Sequence, residues 1–141
     1  MGEEGRVGIL MCAGCAFVCL LLFVTMALTQ IAMQDRRLVS CADALAGASV
    51  GGASSSSVLS GEEAGVDEAD ALSRVQDALG ALSGTTCRVG EGVSVTEVRV
   101  ERGEVEVSVR ARPVVSVVPP ALRGVVVPDL ERSSSARVRP L

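Results

Sequence analysis

Histidine, lysine, asparagine, tryptophan and tyrosine are all absent from this 141-residue chain, and its only aromatic side chains are two phenylalanines. The absence of histidine removes the usual acid–base group at neutral pH and the commonest metal ligand, which excludes most hydrolase and zinc-site chemistry. Without large aromatic residues, any core must be built of Val, Leu and Ala, and it will be thin. All thirteen basic residues are arginine. Because the codons of Lys, Asn and Tyr are rich in A and T, we infer a G+C-rich genome.

Groups that would support catalysis or nucleic-acid binding are also missing. The net charge of -4 gives no broad basic field, so nucleic acid is not an expected partner. No lysine completes a phosphate-binding loop, and Ser54–Ser57 have no histidine to activate them. Glu62 and Glu63 lie at a linker–helix junction, not in a pocket. The sequence therefore predicts one small domain that is not an enzyme and has no cofactor, metal or small-molecule substrate.

The N-terminal part of the chain contains a long uncharged segment. No charged residue lies between Arg6 and Asp35, and the apolar run Ile9–Leu28 is long enough for a helix to cross about 30 Å of hydrocarbon. The chain is too short to bury such a helix on all sides, and the run is too long for a cleaved signal peptide. We predict a single transmembrane helix surrounded by membrane lipid. Flanking charges are nearly balanced and leave its orientation open.

The five cysteines form two groups. Three share one helix face within the membrane segment, at spacing i, i+3, i+7: Cys12, Cys15 and Cys19. We interpret them as small apolar packing residues, because no second cysteine pair or histidine completes a metal or redox site. Cys41 and Cys87 lie beyond the segment and could pair in an oxidising compartment. Lipidation of Cys41 is an alternative, because Leu38–Cys41 fits the small-residue pattern of a lipoprotein signal.

The helix is predicted to continue beyond the membrane segment, because apolar residues keep helical spacing from Arg36 and no breaker occurs before Gly47. Small side chains either make this outer half narrow enough for another helix to approach closely or reflect only the high helix propensity of alanine: Ala42, Ala44, Ala46 and Ala48. The predicted organisation is a transmembrane helix with its outer extension (1–50), a Gly/Ser linker (51–60), a small α+β domain (61–130) and a loose tail (131–141).

An amphipathic helix is predicted after the linker. Ser60 and Glu63 have the spacing of a capping box, and Gly84 is the expected stop. The predicted apolar stripe consists of Val66, Ala69, Leu72, Val75, Leu79 and Leu82. Its acidic residues lie elsewhere around the helix and indicate a solvated face.

A β-hairpin is predicted from Val93 to Ala111, where apolar residues alternate with polar ones. The phase slips by one residue near Glu97, which indicates a β-bulge, and Arg102–Gly103 is the expected two-residue turn. The predicted cross-strand pairs are Val100 with Val105, Arg99 with Glu106, Val98 with Val107, Val95 with Val109, and Val93 with Ala111.

Two further short strands are candidates in the C-terminal part. Val114–Val118 is a candidate third strand, stopped by Pro119 and Pro120, and Val125–Val127 is a candidate fourth strand. Ser133–Leu141 is expected to form a loose tail. The predicted fold class is therefore α+β: a single N-terminal transmembrane helix continuing into an Ala-rich helix, then one amphipathic helix and a β-hairpin or a three- to four-stranded antiparallel sheet.

Three segments, in this order, resemble TadE-like pilus-assembly proteins, and in particular a small actinobacterial branch of that family. Glu4–Leu10 places an acidic residue and glycine before the apolar helix, and Arg36–Ala48 is a basic pair followed by an Ala-rich stretch with Asp and Leu. Cys87–Gly90 is a Cys-x-Val-Gly segment that leads into the alternating valines of 93–109. The resemblance covers most of residues 4–118 and depends on the order and spacing of the motifs.

The resemblance implies a minor pilin-like component of a Tad-type (type IVc) pilus or a related secretion apparatus, with other pilin-like or secretion-apparatus membrane proteins as partners. It implies a cell-membrane protein with a cytoplasmic N-terminus and an extracytoplasmic C-terminal domain, in which Cys41 and Cys87 are the only exported cysteines. The expected helix-packing face is Gly8, Cys12, Cys15 and Cys19. The alternatives are a membrane-anchored binding module or lipoprotein unrelated to pili, and a small regulatory membrane protein with a cytoplasmic C-terminal domain.

Overall fold

A single long helix dominates the computed structural model, which describes residues 3–51 and 67–137. This helix, α1, runs over Glu3–Gly51. It is followed by α2 (Glu68–Leu82), β1 (Val93–Glu101), β2 (Glu104–Ala111), α3 (Pro120–Val126) and β3 (Leu130–Arg137). The three strands form one antiparallel sheet in the order β1-β2-β3. The predicted α+β class and the continuation of α1 beyond its apolar segment are confirmed.

The two halves of α1 have different surroundings. In the N-terminal half the apolar segment is long and apolar enough to cross a membrane, and its most apolar stretch is not buried by any described residue. The hydroxyls of Thr25 and Thr29 donate to the carbonyls of Leu22 and Thr25, so these polar side chains are satisfied within the helix. The C-terminal half, by contrast, is covered by α2 and the sheet.

The hairpin has the predicted register. All five predicted pairs occur, and the register shifts between Val95 and Glu97, as expected for a bulge. Arg102 and Gly103 both have positive φ, of 50° and 77°, which is the conformation that a tight two-residue turn between twisted strands requires. The alternate residues of β2 that point to the core are all buried: Val105, Val107, Val109 and Ala111. With this register, the apolar residues of both strands lie on the core face of the hairpin and the polar residues lie on the solvent face.

The candidate third strand at Val114–Val118 was wrong. The side-chain amide of Gln34 donates to the Val114 carbonyl (2.6 Å) and accepts from the Val114 N–H (2.8 Å), as a neighbouring strand would. One turn earlier, Gln30 accepts from the Ser116 N–H at 3.2 Å. Because α1 side chains satisfy these backbone groups, the segment lies along the helix and does not join the sheet.

The two predictions nearest the C-terminus were also wrong. Val125–Val127 is not a strand, because the helix α3 begins at Pro120, where a missing N–H costs nothing, and extends to Val126. Residues 133–137 are not a loose tail, because they belong to β3, which pairs with the second edge of β2. The low strand propensity of its serines is overcome by this pairing and by contacts with α1. Residues 138–141 lie outside the described residues.

The amphipathic helix is present, and its buried stripe is partly the one predicted. Ala71 and Val75 are fully buried, Leu79 and Leu82 are partly buried, and Leu72 is exposed. The predicted stripe also contained Ala69, which is exposed as well. The helix ends at Leu82, two residues before the expected stop at Gly84. The predicted capping box, Val66 and residues 52–60 of the predicted linker lie outside the described residues, whereas Gly51 ends α1.

The core forms where α1, α2 and the sheet meet. The C-terminal half of α1 contributes Leu38, Cys41, Ala42, Leu45 and Ala46, each at most 1% exposed. The small side chains of Ala42 and Ala46 are therefore used within the chain itself, by α2 and the sheet. We refer to α2, the sheet, α3 and the loops between them as the head.

Candidate functional site

The main candidate surface is the bare N-terminal half of α1. Among the described residues, nineteen large apolar side chains are exposed, and fourteen of them lie between Val7 and Met33. Monomeric soluble proteins rarely expose a contiguous apolar surface of this extent, because contact of apolar area with water is costly. This exposed apolar surface is compatible with a helix that crosses a membrane.

The four residues of the predicted packing face all lie on this bare half. At 3.6 residues per turn, Gly8, Cys12, Cys15 and Cys19 fall within about 60° of one another around α1. The three cysteines are exposed and have free thiols, and a side chain at Gly8 would meet no atom within 4 Å. No described residue packs on this strip, so it offers a narrow, small-residue surface to a neighbouring helix.

Cys41 and Cys87 form a disulfide. Their Sγ atoms are 1.98 Å apart, and the bond joins the middle of the packed half of α1 to the turn that follows α2. Both cysteines are buried. Lipidation of Cys41 is incompatible with this arrangement, because its sulfur is already bonded and has no access to solvent. The bond attaches the head covalently to α1.

The segment Cys87–Gly90 closes the head beside the disulfide. Val89 is buried, and Gly90 has φ +53° with its Cα against the end of β2. A Cβ at Gly90 would lie 1.9 Å from the Arg112 carbonyl oxygen, which accepts the Glu91 N–H at 3.1 Å. Cys87–Gly90 is one of the segments that resemble TadE-like proteins. The steric role of Gly90 depends on Arg112, which is 22 positions away, so the segment's own sequence does not predict it.

β3 is attached to α1 by polar contacts. The guanidinium of Arg132 lies against the Asp35 carboxylate, with Nη2 3.0 Å from Oδ2 and Nε 2.9 Å from Oδ1. Two turns further along α1, the Asp43 carboxylate accepts a hydrogen bond from the Ser134 hydroxyl. A hydrogen bond between an arginine and a carboxylate is charge-assisted and therefore stronger than one between neutral groups. These contacts set the direction of β3 along the helix.

Ion pairs also link the ends of β2 and β3. The hydrogen bond from Arg112 lowers the pKa of the Asp129 carboxyl, and hydrogen bonds from Ser135 and Arg137 lower the pKa of Glu104. A lowered folded-state pKa means that this stabilisation is complete above the ordinary carboxyl pKa of about 4 and is lost as pH falls through the lowered pKa. Glu104 is half-buried and the other groups are exposed to solvent, so salt weakens the pairs.

The cavity at the hairpin turn is lined by charged side chains, some of which already form ion pairs. This cavity of about 340 Å³ on the solvent side of the hairpin is lined by Arg99, Glu101, Arg102, Glu104, Glu106 and Arg137. Arg137 is paired with Glu104 and Arg99 with Glu97, so neither arginine offers a free positive charge there. Within the part of the chain that the structure describes, no three Cys, Asp or Glu side chains come together to hold a metal ion.

Comparison with family models, with curated proteins and with solved structures finds no match to this chain.

Proposed function

We propose that this protein is a TadE-like minor pilin-like component of a Tad-type (type IVc) pilus or a related secretion apparatus, and that it acts by helix packing and protein–protein interaction. The observation that carries the proposal is the division of α1. One unbroken helix of 49 residues presents a bare apolar half, and its other half holds a small α+β head.

A pilin-like subunit needs both parts of this arrangement. Its apolar helix must hold it in the membrane and also pack against the helices of other subunits, and its head must lie outside. The residues of Ile9–Leu28 extend about 30 Å as a helix, which matches the hydrocarbon thickness of a bilayer. The hydrogen bonds between the head and α1 begin at Gln30, directly beyond this stretch. No catalytic step is part of the proposed role.

The proposed topology has the N-terminus in the cytoplasm and Leu38–Leu141 outside the membrane. The disulfide between Cys41 and Cys87 supports it, because disulfides form and persist in oxidising compartments outside the cytoplasm. The same bond argues against the alternative with a cytoplasmic C-terminal domain. The binding-module alternative lacks comparable support, because two of the three arginines that line the hairpin cavity already form ion pairs, Arg99 with Glu97 and Arg137 with Glu104.

The proposed assembly contact is the strip of Gly8, Cys12, Cys15 and Cys19. Helices associate in membranes where small residues let their backbones approach closely. Replacing Cys15 with Leu adds bulk at the centre of this strip, whereas replacing Leu21 with Ile keeps the volume of a side chain on the opposite face of α1, which we assign to lipid. We expect Cys15→Leu to reduce helix–helix crosslinking and the recovery of partner proteins several-fold, and Leu21→Ile to leave both unchanged.

The measurement is crosslinking in membranes followed by co-purification, in cells that make each variant at an equal, verified level of membrane insertion. Unchanged crosslinking and partner recovery in Cys15→Leu would mean that the strip faces lipid, and the helix-packing part of the proposal would fail. Recovery of no secretion-apparatus or pilin-like protein with the unaltered chain would contradict the proposed function as a whole.

A further inference from the structure

The head has one exposed apolar patch, on α3. Leu122, Val125 and Val126 are 52%, 88% and 60% exposed, and they lie within a helix of seven residues. Elsewhere in the described head, Leu72 is the only other exposed large apolar side chain. We call Leu122, Val125 and Val126 the α3 patch.

The α3 patch lies near the end of the apolar part of α1. Gln30 binds Ser116, and Gln30 is two residues, or about 3 Å of helix rise, beyond Leu28. A turn follows at once, in which the Val118 N–H donates to the Val115 carbonyl, and α3 starts at Pro120. Arg123 of α3 donates back to the Val118 carbonyl at 3.2 Å, so the helix is held against this turn.

Because the α3 patch lies at this position, we propose that it inserts into the lipid surface of the membrane that α1 spans, at the boundary between headgroups and acyl chains. The inference rests on the membrane insertion of α1 that the proposed function requires. Apolar side chains on a surface helix bury into this boundary region, which extends roughly 5–8 Å beyond the hydrocarbon on each side. Exposed Arg36 and Arg37 lie about 9 Å beyond Gln30 along α1, where long basic side chains reach lipid phosphates.

Lipid fits the α3 patch better than a protein does. A stable protein interface buries about 800 Å² on each partner, far more than three side chains of a seven-residue helix can supply. Contact with the bilayer needs no such area, because α1 already holds the head at the membrane surface. The α3 patch therefore orients the head and limits its tilt relative to the membrane.

The absence of tryptophan and tyrosine from the chain allows a direct test. A single tryptophan is introduced in the full chain as Val125→Trp, and each variant is reconstituted into phosphatidylcholine vesicles. The distal control is Glu101→Trp, beside the hairpin turn. The eight residues of β2 separate this turn from Ala111, at the other end of the strand. The insertion control is Phe17→Trp, in the apolar half of α1. Fluorescence quenching is measured with lipids brominated near the headgroup or near the bilayer centre, and with acrylamide in the water.

We expect lipid brominated near the headgroup to quench Val125→Trp several-fold more than Glu101→Trp, and acrylamide to show the reverse order. Val125 is almost fully exposed, so its replacement disturbs no packing. If lipid quenches Phe17→Trp but Val125→Trp remains as accessible to acrylamide as Glu101→Trp, the inference is overturned and the proposed function is untouched. Shielding of Val125→Trp from both quenchers would show that protein covers the patch, which also overturns it. If lipid brominated near the bilayer centre fails to quench Phe17→Trp, α1 is not inserted and both proposals fail.

Discussion

At the scale of single residues, Gly90 shows how one backbone position holds the head together. Its φ of +53° is in the left-handed region, and the space for a side chain is taken by the Arg112 carbonyl. This contact brings the loop after the disulfide against the end of β2, where the Glu91 N–H donates to the same carbonyl. No other residue type meets both requirements.

We expect Gly90→Ala to lower the free energy of unfolding by about 2–4 kcal/mol, because the new Cβ must displace backbone and the residue must keep a strained φ. The measurement is urea unfolding of the full chain in detergent micelles, followed by circular dichroism. The control is Gly84→Ala, where a Cβ meets no atom within 4 Å and φ is not positive, and where we expect a change within about 0.5 kcal/mol. Equal losses for the two variants would contradict the steric role of Gly90.

At the scale of elements, β2 organises the head. It is the central strand, with β1 on one edge and β3 on the other, and the side chains of one face are buried against α1. Its other face is polar and partly exposed to water. Because side chains alternate with a period of two, neighbouring positions on β2 have opposite environments.

This alternation predicts opposite results for neighbouring substitutions. Val107 is fully buried, so Val107→Asp would bury a charge without a partner and cost about 3 kcal/mol or more. Ser108→Asp lies on the solvent face opposite Glu97 and Ser133, and we expect a loss below about 1 kcal/mol from like-charge repulsion. The same unfolding measurement checks both variants. Similar losses would mean that the strand faces are assigned wrongly.

At the scale of the whole molecule, the disulfide between Cys41 and Cys87 links the head to the long helix. The two cysteines are 46 residues apart, and closing a loop of this length restricts the unfolded chain enough to stabilise the fold by about 4 kcal/mol in the chain-entropy model. The bond also divides the five cysteines into a buried pair and three free thiols on the bare half of α1.

The proposed topology therefore predicts a thiol count. Protein taken from membranes under thiol-blocking conditions and denatured should react with maleimide at three cysteines, and at five after reduction. In parallel, a maleimide that cannot cross membranes should label Glu97→Cys in intact spheroplasts, because Glu97 is on the exposed part of the head. Five reactive cysteines before reduction, together with a Glu97→Cys thiol shielded until lysis, would place the head in the cytoplasm.

The sequence by itself determined the features that depend on local pattern. The apolar run of α1, its helical continuation, the bulge near Glu97 and the hairpin register all follow from the periodicity of side chains along neighbouring stretches of chain. The strip from Gly8 to Cys19 also follows from helical spacing alone, since all four residues lie on one regular helix. The use of that strip in assembly remains a prediction.

Other features depend on which distant group makes hydrogen bonds to a backbone segment or fills the space beside it. Only the tertiary structure decided these features. Val114–Val118 has the composition of a strand, but amide groups from Gln30 and Gln34 bind it to α1. The serines of β3 have the composition of a loose tail, but the open edge of β2 pairs with them. In both segments, hydrogen bonds to a distant partner outweigh the weak conformational preference of the local sequence. No pattern within either segment identifies that partner.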